Sequence, residues 1–295
     1  MIIRFRKIVY ELISGPLRAL KIGLLSSFVI IIVGMLTVLF IPSSYEYLSV
    51  LAYGNIAGLL ILIIIIQLRG SAKLNDLHYQ LSLQENLAVG GYRLKDVYLD
   101  GAAGNASLML LLLKCLQLGR PRKILELGSG QTTKMLSYYC RANPETYILT
   151  LEQEKNWIEI LRPYLTDNGP LHEYRFAELR DKEFICPGTN IKISTSWFHG
   201  VQDLLTRRFN LILIDGPNGE EIYSRSGILE YLPAILDDTF VIILDDAERY
   251  GEITTIRLLK KLLISFKIDY SSFEVNGIKR QYVFCSRNLA FLQYT

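Results

Sequence analysis

Residues 123–133 read Lys-Ile-Leu-Glu-Leu-Gly-Ser-Gly-Gln-Thr-Thr, and residues 147–152 read Tyr-Ile-Leu-Thr-Leu-Glu. Each is a short apolar run that ends abruptly, the first in a carboxylate and two glycines and the second in a carboxylate. Such runs, bounded by turns and separated by a helical stretch, indicate strands buried on both faces of a parallel sheet. Glycines let the backbone turn sharply and approach a ligand, and the helix that follows offers free N–H groups. Glu152 ends the second strand 22 residues past Gly130, where a carboxylate can accept the hydroxyls of a ribose. A dinucleotide fingerprint would need glycine at 133, but Thr133 stands there, which counts against a nicotinamide cofactor.

Working outward, the pattern predicts a helix at 105–118, strand Lys123–Leu127, a helix at 132–142, strand Tyr147–Leu151, a helix at 155–167 and a short strand at 172–177. Strand Leu211–Ile214, a helix at 222–236, strand Phe240–Leu244 and a helix at 252–266 follow. The final segments, 268–275 and 280–286, join through Asn276-Gly277 as an edge hairpin. The fold class expected is α/β: a Rossmann-like, mainly parallel seven-stranded sheet with helices on both faces.

The N-terminal part differs. Residues 22–41 and 47–68 carry no charge, and each run is long enough to cross a hydrocarbon core of roughly 30 Å as a helix. Only Pro42-Ser43-Ser44-Tyr45-Glu46 separates them, so they are expected to form an antiparallel transmembrane hairpin. Arg4, Arg6, Lys7, Arg18 and Lys21 precede it, Arg69 and Lys73 follow it, and the turn has no basic residue. The positive-inside rule then places both termini in the cytoplasm, at the cell membrane. A cleaved signal peptide fits poorly, because the apolar run is too long and a second one follows. Residues 2–13 alternate basic and apolar positions, as for an arm lying on an anionic leaflet or for plain stop-transfer charge. Gly54-x-x-x-Gly58 is a small-residue pair, and a homo-oligomer through the hairpin is an open possibility. The expected domains are a basic arm (1–21), the hairpin (22–68), a connecting helix and linker (69–97) and the α/β domain (98–295).

Composition agrees. Half of the 295 residues are hydrophobic, and the mean hydropathy is +0.24. The net charge of +3 lies within residues 1–68, five basic side chains of the arm against Glu11 and Glu46, since residues 69–295 hold 27 basic and 27 acidic side chains. With no net field, the larger domain is not expected to bind nucleic acid. Cys115, Cys140, Cys186 and Cys285 form no metal-ligand spacing and read as reduced structural thiols.

Four motifs together resemble those of class I S-adenosylmethionine-dependent methyltransferases: Glu126-Leu127-Gly128-Ser129-Gly130, Leu151-Glu152-Gln153, Asn210 to Pro217, and Val241 to Asp246. The resemblance covers about residues 98–286 and is nearest to bacterial methyltransferase-like proteins with a membrane hairpin ahead of the domain. It implies S-adenosylmethionine as cofactor, bound by Glu126, Gly128, Ser129, Gly130, Thr132, Glu152 and Gln153. Glu126 would shape the methionine end, the glycines would approach the nucleoside, and Glu152 would bind ribose. The frequent third glycine of the family is Thr132 here. Carboxylates suit a ligand that carries a sulfonium and an ammonium.

Asp215, Asp245 and Asp246 end two strands expected to be neighbours. They resemble the divalent-metal ligands of catechol-type O-methyltransferases, which implies Mg2+ at this point, although three full carboxylates replace a mixed acid and amide set. The alternative is that they cap helices, bind loop N–H groups or face the cofactor. Asp215, Asp246 and His199 are the catalytic candidates, His199 as a base near neutral pH. Arg225 and Arg249 could hold an anionic substrate group, and His78 and His172 have no identifiable partner. The function expected is O-methylation of a small, lipid-linked or glycan-related acceptor at the cytoplasmic face. The alternative is a non-catalytic membrane effector or assembly subunit whose domain binds an adenosine ligand.

The charge distribution predicts that Ser43 and Ser44 lie outside the membrane and Ser71 inside. Cysteine substitutions probed on intact cells with an impermeant thiol reagent should label at 43 and 44 only; labelling at 71 instead would invert the topology.

Overall fold

The computed structural model describes residues 45–89, 105–165, 171–217, 223 and 225–294. The basic arm, the first expected span at 22–41, Pro42 to Ser44 of the expected turn and residues 90–104 lie outside them. The chain divides into two compact units, Met1–Leu74 and Asn75–Thr295.

Helix α1 (Tyr45–Val89) is continuous over 45 residues. The second expected span and the connecting helix expected within 69–97 are therefore one element. The stretch between them contains Gly70 but no proline, and a single glycine costs a helix only about 1 kcal/mol. In the first unit, Ile56, Leu59, Leu60, Ile61, Ile63, Ile64 and Ile66 on α1 are exposed. Among the described residues no helix is long and apolar enough to cross a membrane. Of the expected span 47–68, the side chains of 47–53, 55, 65 and 68 lie outside those described.

The second unit is built on a seven-stranded sheet. Its strands are β1 (Lys123–Leu127), β2 (Tyr147–Glu152), β3 (His172–Phe176), β6 (Phe209–Ile214), β7 (Leu236–Leu244), β8 (Ser271–Asn276) and β9 (Arg280–Cys285), in the spatial order β3-β2-β1-β6-β7-β9-β8. The first five are mutually parallel, and β9 runs antiparallel between β7 and β8. The order turns back at β1, so the carboxyl ends of β1 and β6 flank the topological switch point, where sheets of this kind form a ligand crevice. The edge hairpin through Asn276-Gly277 is as expected.

Both faces are covered. Alternation along the strands sends Leu125, Leu127, Ile212, Ile214, Ile242 and Leu244 into one core, shared with Leu259 and Leu262 of α5 (Tyr250–Ser265). Ile124, Ile148, Leu211, Leu213, Val241 and Ile243 enter the other, shared with α2 (Ala106–Lys114), with α3 (Gln131–Ala142) and with Leu83 of α1. Helix α4 (Lys155–Leu165) packs beside α3.

Two differences from the sequence reading concern the stretch between β3 and β7. An antiparallel hairpin, β4 (Leu179–Ile185) with β5 (Lys192–Phe198), stands there unanticipated. The helix expected at 222–236 is absent: its described part holds a short 3-10 turn, Ser226–Glu230, and further turns, and β7 already begins at Leu236. Pro233 has no N–H to continue a helix, and Gly227 lies flat against the indole of Trp197 on β5.

A Cβ on Gly227 would lie inside the Trp197 ring, which is 1% exposed and has nowhere to move. Gly227→Ala should therefore destabilise the domain by about 1–3 kcal/mol as overpacking, whereas Gly119→Ala, with open space at its Cβ, should not. Denaturant midpoints of the two variants would check this.

Candidate functional site

The backbone ladder continues one residue beyond each strand. Gly128 N–H donates to Leu151 O (2.9 Å), Asp215 N–H to Leu127 O (2.9 Å), Asp245 N–H to Ile214 O (3.0 Å) and Ala177 N–H to Glu152 O (2.9 Å). Gly128, Asp215 and Asp245 are thus held at one level along the carboxyl edge. Gly128 has φ +84°, and its added Cβ would meet Gly216 N at 2.8 Å, so the β1 and β6 loops touch backbone to backbone at the switch point. Only glycine satisfies both conditions.

Glu126 is fully buried, and its carboxylate accepts from Thr132 Oγ1 (2.6 Å), Thr133 Oγ1 (2.9 Å) and Thr150 Oγ1 (2.8 Å). Thr133 Oγ1 in turn accepts from Gly130 N–H (2.9 Å). Thr132 and Thr133, which replace glycines of the two fingerprints, therefore bind the start of α3 to a buried acid. Thr150 Oγ1 also lies 3.0 Å from His172 Nε2, and Ser137 Oγ 3.3 Å from His172 Nδ1. With Glu126 ionised and accepting the Thr150 proton, the hydrogen between Thr150 and His172 must come from Nε2. His172, without a partner in the sequence reading, belongs to this chain. Burial pushes the Glu126 carboxyl up to about 7, against the opposing threonine bonds, and pushes His172 down to about 4.

Glu152 ends β2, buried, and closes over the glycine turn. Its Oε2 accepts from Ser129 N–H (2.8 Å) and Ser129 Oγ (2.6 Å), and its Oε1 accepts from Glu154 N–H (2.7 Å). Tyr174 on β3 donates to Ser129 Oγ at 2.5 Å. Beside this turn, Gln131 Oε1 and Gln153 Oε1 are buried without a hydrogen-bond partner. Both are acceptors, so this half of the crevice suits a ligand that brings donors, such as ribose hydroxyls and amino groups. Gly128, Ser129, Gly130, Glu152 and Gln153 are brought together as expected, whereas Glu126 and Thr132 lie beneath the turn and support it.

The three aspartates also come together: Asp215, Asp245 and Asp246 each offer an oxygen within 4.8 Å of the others. Arg225, one of two arginines that could have held a substrate anion, is instead 1% exposed. Its Nη2 lies 2.9 Å from Asp246 Oδ2 and 3.3 Å from Asp215 Oδ1, its Nη1 donates to Asp245 O (2.7 Å), and its Nε lies 3.5 Å from Glu252 Oε1. Arg249 adds a contact to Asp246 Oδ2 (3.0 Å). Lys279, which the sequence reading missed, lies 3.1 Å from Asp246 Oδ1 and 3.6 Å from Asp245 Oδ2. Gln281 Nε2 donates to Asp245 Oδ1 (2.7 Å). Burial and then the Asp245 charge push the Asp215 carboxyl well above its ordinary value. For Asp246 burial acts upward but is outweighed by Arg225, Lys279 and Arg249, which hold it below.

These residues do not fit a divalent ion. The oxygens are close enough, but all three carboxylates are already paired with cations of the chain. His199 is exposed at the end of β5; its backbone N–H donates to Glu178 O (2.8 Å), and its ring has no hydrogen-bond partner among the described residues. It does not join the aspartates. The four cysteines are free and buried, as expected.

The sequence matches no family model, and no curated protein is similar enough to match it. Solved structures do match. The O-methyltransferase TomG from Streptomyces achromogenes, involved in tomaymycin synthesis and solved with SAM, is 15% identical, with 74% of this chain and 98% of that chain covered and a TM-score of 0.45. An O-methyltransferase from Bacillus cereus, solved with SAH, is 15% identical, covering 74% and 100%, with a TM-score of 0.43. A methyltransferase from Geobacter sulfurreducens is 15% identical, covering 70% and 88%, with a TM-score of 0.40.

Glu126 and His172 make opposite contributions to the pH dependence of stability. A carboxyl raised from 4.5 to about 7 stabilises the fold fully below 4.5, and the contribution is lost as pH rises through 7. An imidazole lowered from 6.5 to about 4 contributes fully above 6.5, and this is lost as pH falls toward 4. Each shift corresponds to about 3 kcal/mol, and the two slopes oppose each other between 4.5 and 6.5. Glu126→Gln should unmask stability that rises across that window, and His172→Gln stability that falls. Denaturant titrations at several pH values would show it, and two variants with wild-type profiles would refute it.

Proposed function

We propose that this chain is a membrane-anchored, S-adenosylmethionine-dependent methyltransferase, transferring a methyl group to an oxygen of a small, lipid-linked or glycan-related acceptor at the cytoplasmic face. The observation that carries the reading is the placement of the Glu152 carboxylate over the Gly128-Ser129-Gly130 turn at the switch point, with two unpaired buried acceptors beside it. When bound, the cofactor supplies an electrophilic methyl group on a sulfonium. Glu152 would take the ribose, and the Gly128 turn allows the backbone to approach the nucleoside. Gln131 and Gln153 offer oxygens to donor groups.

Asp215, the least buried of the three aspartates, stands at the end of β6 and would take the proton of an acceptor hydroxyl. Burial and the neighbouring Asp245 charge raise its proton affinity above that of an ordinary carboxylate, which makes it the stronger base. Membrane attachment is part of the proposal, with two spans, both termini in the cytoplasm and self-association through the hairpin. The charge-free runs and the basic residues outside them support it. One observation favours a non-catalytic, adenosine-binding effector: Asp245 and Asp246 are committed to Arg225, Arg249 and Lys279. Appearance of demethylated product with a membrane extract as acceptor would exclude that reading.

Full-length protein in detergent should bind S-adenosylmethionine and its demethylated product in calorimetry. Glu152→Ala should weaken binding by about 1.5–3 kcal/mol, roughly ten- to a hundredfold. Binding of a nicotinamide dinucleotide but not of S-adenosylmethionine would overturn the assignment.

A further inference from the structure

We propose that the Lys279 ammonium is the resident cation of the aspartate cluster, filling the place a divalent ion would take, and that it receives the acceptor oxygen. The second half of the statement rests on the methyltransferase reading; the first does not.

The distribution of partners over the carboxylate oxygens carries the argument. Asp246 Oδ2 is taken by Arg225 and Arg249, Asp245 Oδ1 by Gln281, and Asp215 Oδ1 by Arg225. The remaining oxygens of the two buried aspartates, Asp245 Oδ2 and Asp246 Oδ1, have no hydrogen bond of good geometry, and both face the same Nζ, at 3.6 and 3.1 Å. Two anionic oxygens buried without a hydrogen bond are costly unless a cation lies between them, and the ammonium of Lys279 does. A divalent ion bridging the same oxygens would have to expel it.

An ammonium has three protons. Neither of these two oxygens takes one of them in a hydrogen bond of good geometry, and the lysine side chain is 18% exposed, so the ammonium can balance both carboxylates by charge and still donate to a ligand on the open side. Asn105 Nδ2 and Gln281 Oε1, both buried and unpartnered, belong to the same bonded patch, since Gln281 Nε2 lies 3.4 Å from Asn105 Oδ1 and 2.7 Å from Asp245 Oδ1. A fixed cation with an unused donor and an unused acceptor nearby is the complement of a hydroxylated acceptor whose reacting oxygen gains negative charge.

Mn2+ titration of the full chain in detergent, followed by the electron paramagnetic signal of the free ion, tests this without knowledge of the acceptor. Wild type and Lys279→Arg should show no site of better than millimolar affinity, while Lys279→Met should gain one. The gained site should bind at least roughly tenfold tighter and vanish with a further Asp246→Asn. Lys279→Gln, of similar shape and still able to bond Asp246, should gain the same site if Lys279→Met fails to fold. A wild-type site that is lost in Asp246→Asn would overturn the proposal in favour of a metal. Absence of a site in every lysine variant would also overturn it, since the ammonium would then not be filling a cation position. Calorimetry with S-adenosylmethionine on the same samples separates the two claims: no binding there would remove the acceptor role and leave the Mn2+ pattern to decide what Lys279 occupies.

Discussion

Burying the Arg225 guanidinium strips it of water, and the acidic edge of the sheet is arranged around the need to compensate that loss. The side chain is 1% exposed, and it spans the ends of β6 and β7 and the start of α5 through Asp215, Asp246, Glu252 and the Asp245 carbonyl. A buried ion pair contributes little net stability over an apolar contact of the same shape, but removing one partner typically costs about 3–5 kcal/mol. The arrangement therefore works as a lock rather than as a source of stability. It holds together carboxylates that would otherwise repel, and Asp215, Arg249 and Lys279 keep partial access to the open side.

The two halves of the crevice are electrostatically unlike. Around the β1 turn the unpaired polar atoms are neutral acceptors, Gln131 Oε1 and Gln153 Oε1, next to the Glu152 carboxylate. Around β7 and β9, the carboxyls of Asp215, Asp245, Asp246 and Glu252 face the cations of Arg225, Arg249 and Lys279. A ligand rich in donors is favoured on the first side, and an oxygen that becomes anionic on the second, next to a fixed ammonium. The switch point joins these halves through the contact of Gly128 with Gly216, which leaves no room for the two loops to shift independently.

Strand ends were the legible part of the molecule. Glu126 to Gly130, Glu152, Asp215, Asp245 and Asp246 each follow a run of buried aliphatics, and a one-dimensional pattern finds such edges. The hairpin of β4 and β5 was not legible, because Arg180, Asp181, Lys182 and Glu183 fill a strand that buries little. The stretch from 222 to 236 misled for the opposite reason. Ile228, Leu229, Leu232 and Ile235 fall at helical spacing, yet their burial is satisfied by turns laid against Trp197. The role of Arg225 as partner of the aspartates, and Lys279 as a site residue at all, were beyond sequence reasoning, since what defines them is proximity across 20 and 33 residues to aspartates on other strands. One cue for the second was available: Lys279 stands in the turn that opens β9, two residues before Gln281, on the strand next to β7.

The buried chain beneath the turn explains why threonine serves where related fingerprints use glycine. A glycine at 132 or 133 would free the backbone but leave Glu126 short of a donor, and an acid fully removed from water tolerates that poorly. With Thr132, Thr133 and Thr150 all donating to it, the same carboxylate fixes the first turn of α3 against β1 and β2. The N–H groups that open α3 are thereby aimed by a support lying under them, on the far side from any ligand. The turn can then be ordered before a ligand arrives, so less of the binding energy is spent on ordering it.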